Sequence, residues 1–186
     1  MSTQTLPGDQ PPIGATTTAS LHRLMLPGQM LQRGFWLYVW RVQTTKGERL
    51  YVGRTGDSSS PHATAPYTRM GQHLGFSKAA NSLRRLLTEA GVQPETCGQF
   101  DLFSYGPIFP EIGMTKDQLR ADRMLLHTPV RDQMAALEKK LRDALVAAGY
   151  PVLNVVHSKK QFDAAHWKAV RTAFAEHFPS LGRIDP

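Results

Sequence analysis

The sequence predicts an α+β fold: a small three-stranded antiparallel sheet flanked by helices, with extensions at both ends. Three observations carry that expectation. The strong strand signals are few, and the first two form a hairpin. The helical signals fall in runs between and after the strands instead of alternating with them one for one. The chain has 186 residues, 41% hydrophobic and 20% charged, which suits one core with appended arms. A chain of this size buries roughly 70% of its unfolded surface and needs no covalent staple.

Residues 1–33 read as a mobile arm. Up to about Ser20 they are rich in Thr, Pro, Gly, Gln and Ser and almost uncharged, too little apolar surface to offset the entropy of ordering. Leu21–Leu31 is apolar enough to dock, as a short helix broken at Pro27-Gly28. A central domain then spans 34–157. Phe35–Val42 is aromatic and β-branched, Thr44–Gly47 is a turn, and Arg49–Gly53 is the returning strand. The Ser- and Pro-rich stretch 57–66 is a loop. Tyr67–Leu74 begins a helix, and Ser82–Ala90 carries Leu83, Leu86 and Leu87 at helical spacing before Gly91.

Phe100–Tyr105 alternates with period two and is closed by Gly106-Pro107, giving the third strand. Thr115 can cap a helix reaching Leu126, and a longer one should run from about Val130 to Ala148. Its stripe is Met134, Leu137, Leu141, Leu145 and Val146. Pro151–Val155 is short and extended. Residues 158–186 form a basic C-terminal helical segment, with Asp163 as cap and Trp167, Val170, Phe174 and Phe178 on its apolar side.

The single cysteine, Cys97, excludes a disulfide framework and a cysteine-rich zinc site. No apolar run approaches the roughly 18 residues of a membrane helix, and the N-terminus lacks the basic start and apolar block of a secretory signal. A cytoplasmic protein that avoids membranes is expected. Lysine and arginine number 22 against 15 acids, a net charge of +7, which suits a polyanion such as nucleic acid. A merely solubilising surface would have the same charge.

The sequence lacks a phosphate-binding Gly-x-x-x-x-Gly-Lys loop, a His-Glu-x-x-His pair and a calcium loop. His166 and His177 are expected on the surface, His62 and His127 in loops. A different constellation stands out. Tyr38 and Tyr51 lie on the two hairpin strands and face the same way in one of the possible registers. Gly53 follows, where a bare backbone admits a ligand. Arg69 and His73, four apart, share one helix face. Glu138 sits one residue past a core position, where a carboxylate is costly without a partner.

This pattern resembles the GIY-YIG nucleases. Leu37-Tyr38-Val39 and Tyr51-Val52-Gly53 stand at the two signature tripeptides, and Arg69 and His73 at the basic pair of the first helix. Glu138 stands at the metal-binding glutamate, and Gly149–Asn154 at the downstream Leu-Asn. The likeness runs from Phe35 to about Asn154. Leu37 replaces the first glycine, and 78–99 and 106–128 look like insertions.

The resemblance implies a divalent-metal-dependent endonuclease acting on DNA, of the free-standing restriction kind and a homodimer if it cuts palindromic sites. Glu138 would hold Mg2+ or Mn2+, and Arg69 would clamp the phosphate. Tyr38 would activate water with His73 as proton partner, or His73 would itself be the base, and Tyr51 would orient the phosphate. Gly53, Arg54, Asn154, Lys159 and Lys160 would line the substrate, with Lys168 and Arg171 on a DNA-tracking surface. A non-cleaving nucleic-acid-binding module, and a nuclease for single strands or RNA, are the alternatives. Each residue also has an ordinary reading: hairpin packing for the tyrosines, a pair with Lys139 or Arg142 for Glu138, a turn for Asn154, a solvated face for the basic residues.

Overall fold

The computed structural model describes residues 19–57, 60–113 and 119–183. Strand β1 (Gly34–Thr44) turns back into β2 (Gly47–Arg54), and β3 (Gln99–Pro110) pairs with the other side of β1. The result is an antiparallel three-stranded sheet in the order β2-β1-β3. Thr44 holds the hairpin turn: its hydroxyl donates to the Gly47 carbonyl at 2.6 Å and accepts from the Lys46 amide. Gly47 there takes a φ of 89°, which a side chain would disfavour.

Among the described residues four α-helices complete the α+β fold: α1 (Pro66–Leu74), α2 (Ser82–Glu89), α3 (Arg120–Ala147) and α4 (Ala164–Ala175). Helices cover both faces of the sheet, so β1 is apolar along most of its length. Phe35, Leu37, Val39, Leu50 and Val52 face Met134, Leu137, Leu141 and Leu145 of α3 and Trp167, Val170 and Phe174 of α4. Tyr38, Trp40, Val42 and Tyr51 project from the opposite face, against Leu83 and Leu87 of α2. The period-two rule of a strand thus sorts β1 into two cores.

Several expectations are corrected. β3 does not stop at Tyr105; it continues through Gly106-Pro107 to Pro110, which pairs with Gly34. The two helices expected either side of Pro129 are one, since Pro129 lies inside α3. Proline frees the carbonyl four residues back, here that of Leu125, and Leu125 is 73% exposed, so water can satisfy it. His127 is therefore a buried helical residue packed on Phe35, not a loop residue. Thr115, the expected cap, lies outside the described residues, and the N-cap position is Leu119. Val146 falls on the shoulder of the apolar stripe and is 42% exposed.

The 19–33 stretch contains only one 3-10 turn, Gly28–Leu31, starting where the helix break was expected. Helix α4 is not a detached tail, because Trp167, Val170 and Phe174 belong to the main core. Asp163 caps it as expected, accepting from the amides of Ala165 and His166. The extended 151–155 stretch docks on the free edge of β2. The Leu50 amide donates to the Pro151 carbonyl at 2.9 Å, and the Leu153 amide to the Leu50 carbonyl at 2.8 Å. Among the described residues no helix is long and apolar enough to cross a membrane.

Candidate active site

The hairpin register decides the first question. Tyr38 pairs with Gly53 and Trp40 with Tyr51, so Tyr38, Tyr51 and Gly53 share one face. Gly53 does not admit a ligand there, because the Tyr38 ring lies over it. A Cβ at Gly53 would come to 2.5 Å from the Tyr38 hydroxyl, with ring carbons as close. Gly53→Ala should therefore destabilise the protein by about 1–3 kcal/mol, the usual cost of overpacking. Denaturant unfolding checks it, and an unchanged midpoint would mean that the ring moves aside freely.

Helix α1 supplies the next two groups. Pro66 opens it at the first helical position, and four-residue spacing brings Arg69 and His73 to the hairpin. The imidazole of His73 lies against both tyrosine rings, with centroids 5.7 Å from Tyr38 and 4.9 Å from Tyr51. Tyr38 Oη and His73 Nε2 are 2.7 Å apart. Arg69 Nε donates to Tyr38 Oη at 3.4 Å. In the tautomer with Nε2 unprotonated, the phenol hydrogen points at its lone pair and the Nδ1–H is left without a partner. Burial pushes the His73 pKa down to about 3, with the Arg69 charge adding to the effect, so the ring is neutral at ordinary pH. Burial also holds the Tyr38 phenol well above its normal range, against the pull of Arg69. Tyr51 is raised to about 12, chiefly by burial and then by the Glu138 charge, while the Arg69 charge opposes the shift.

Glu138 stands on α3, near enough for its charge to raise the Tyr51 pKa. Its partner is Arg54, not Lys139 or Arg142: Arg54 Nε donates to Glu138 Oε2 at 2.8 Å, and both side chains are 14% exposed. Lys139 pairs with Asp143, and Arg142 divides between Asp143 and the Asn154 carbonyl. Burial raises the Glu138 pKa, and Arg54 counters it. Asn154 does brace the site. Its amide accepts from the Val52 N–H at 3.0 Å and donates to the Val52 carbonyl at 2.8 Å, fixing β2 one residue before Gly53.

The fold thus brings Tyr38, Tyr51, Arg69 and His73 together, with the Glu138–Arg54 pair within electrostatic reach and Asn154 bracing β2. Lys160 is engaged elsewhere, with Asp132 at 2.7 Å, and Lys159 is exposed beside it. Lys168 and Arg171 belong to α4, which packs on the opposite face of the sheet from the tyrosines. Sequence reasoning missed Asp57, which pairs with Arg69 at 2.8 Å, and Ser82, which lies beside Tyr51. Asp57 carried a faint signal, standing three residues past Arg54 at the mouth of the loop; Ser82 carried only its place at a helix start.

Among the described residues no three His, Cys, Asp or Glu side chains gather as metal ligands. One partly buried carboxylate fits magnesium or manganese held mostly by water and a substrate phosphate, and does not fit a cation caged by protein. Comparison with protein families, characterised proteins and solved structures finds no match to this chain.

Proposed function

We propose that this protein is a divalent-metal-dependent nuclease that hydrolyses DNA phosphodiester bonds, built on the GIY-YIG plan and working in the cytoplasm. The observation that carries the reading is the hydrogen-bonded set Tyr38–His73–Arg69, assembled from β1 and α1 with Glu138 of α3 close by. Phosphodiester hydrolysis needs a water activated, a phosphate bound and its growing charge neutralised. Each need has a residue of the right chemistry. Neutral His73 can take the Tyr38 proton through Nε2 as Tyr38 Oη takes one from water, so the phenol need never ionise alone. Arg69 presents a planar fork suited to phosphate, and Tyr51 offers a hydroxyl on the same face. Glu138 would hold Mg2+ or Mn2+, which when bound would neutralise charge developing on the phosphate. The net charge of +7 suits DNA as the polyanion. A cutter of palindromic sites would pair as a homodimer, one active site for each strand.

The test is cleavage of a plasmid with magnesium, repeated in EDTA. Cutting that chelation abolishes supports the enzyme; tight binding without cutting identifies a binding module on the same fold. Arg69→Ala should lower single-turnover cleavage by about 100-fold or more while affecting DNA affinity less, because a phosphate clamp matters most as charge develops. An affinity loss with unchanged turnover of bound DNA would place Arg69 outside the chemistry.

A further inference from the structure

Each of the three guanidinium nitrogens of Arg69 already has a partner in this structure. Nε donates to Tyr38 Oη, Nη1 to Gln72 Oε1 at 2.9 Å, and Nη2 to Asp57 Oδ2 at 2.8 Å. A phosphate cannot take the Nη2 position that Asp57 holds until that carboxylate leaves. Tyr38 and Gln72 are neutral; Asp57 is the anionic one, and the fork that fits a carboxylate fits a phosphate equally well. We propose that Asp57 occupies, in the free protein, the edge of Arg69 that a substrate phosphate takes in the complex, and so sets the affinity of the site for its substrate.

This rests on Arg69 being the phosphate ligand proposed above. The position of Asp57 is built by the fold. Two residues earlier, buried Thr55 accepts from the Trp36 amide at 2.8 Å and donates to the Gly34 carbonyl, tying the end of β2 to β1. Gly56, with φ 73°, packs directly on the Phe35 ring. The Asp57 side chain itself is 35% exposed, so it can swing to water when displaced.

The experiment measures binding of a short labelled DNA duplex in EDTA, where no cleavage intervenes. Asp57→Asn should tighten binding about fivefold, the order of one partly exposed ion pair. The gain should vanish when Arg69→Ala is added, because the two residues then no longer interact. Glu89→Gln, which removes an equal charge from an exposed α2 site, should give a much smaller gain. Unchanged or weaker binding by Asp57→Asn, or a gain that survives Arg69→Ala, would overturn the proposal. A second arm titrates inorganic phosphate and follows the Arg69 Nε–H resonance. If the parent binds no duplex, yet phosphate moves that resonance at lower concentration in Asp57→Asn, the nuclease reading falls and the Asp57 assignment stands. If phosphate also leaves the resonance unmoved, both fall.

Discussion

Glu138→Gln should abolish metal-dependent cleavage while DNA binding in EDTA stays close to that of the parent. The substitution removes the carboxylate proposed to hold the cation but keeps an oxygen for Arg54. That detail selects the variant. Glu138 and Arg54 are each 14% exposed and hydrogen-bonded at 2.8 Å. Glu138→Ala would strand the guanidinium, and breaking a buried pair costs about 3–5 kcal/mol, somewhat less where the edge reaches solvent. Loss of activity in the alanine variant could then reflect unfolding. Glutamine leaves Arg54 an acceptor, so the melting midpoint should fall only slightly. Single-turnover cleavage with magnesium, beside a thermal melt, reads both. A glutamine variant that cuts at the parent rate would remove Glu138 from the chemistry, and a large drop in midpoint would make the pair chiefly structural.

The parts of the fold that were legible in the sequence are those fixed by local chemistry. The hairpin follows from two β-branched runs around a short turn, the α1 pair from four-residue spacing, and the α4 start from Asp163. Register was the first thing the sequence left open, and it matters most, since a shift of one residue would send Tyr51 to the other face. Partner choice was the second. Nothing local says that Glu138 turns to Arg54, 84 positions away, when Lys139 and Arg142 lie beside it. Those two neighbours are drawn off by Asp143, an arrangement visible only once α3 is formed. Pro129 misled for a related reason: what a proline costs a helix depends in part on whether the freed carbonyl finds another partner, and exposure of that turn is a tertiary property. At Gly53 the small residue was recognised but not what fills its space, the ring of Tyr38.

Tyr38→Phe should lose cleavage by about 100- to 10,000-fold, the range associated with general acid–base groups. It keeps the ring that covers Gly53 and removes only the hydroxyl, so strand packing survives. The fold does not escape entirely. His73 is fully buried, and its Nδ1 already lacks a hydrogen bond, so losing the Tyr38 hydroxyl would leave Nε2 unpartnered as well. An unsatisfied buried group costs about 1–3 kcal/mol, and the melting midpoint should fall accordingly. Cleavage must therefore be measured well below that lowered midpoint, where the variant is still folded. The pH profile adds an independent check. The His73 pKa is depressed to about 3 in the folded protein, against an ordinary value near 6.5. The unfolded chain thus binds the extra proton first. The stability that His73 lends by staying neutral is complete above about 6.5 and drains away as pH falls toward 3. Single-turnover cleavage in the parent should accordingly show no inflection near 6.5, since the imidazole is ready to accept the Tyr38 proton on both sides of it. A Tyr38→Phe protein that melts lower yet cuts at the parent rate would confine the hydroxyl to holding His73 in place. An inflection near 6.5 that His73→Gln abolishes would show an imidazole titrating freely, and the relay that starts from a neutral ring would be wrong.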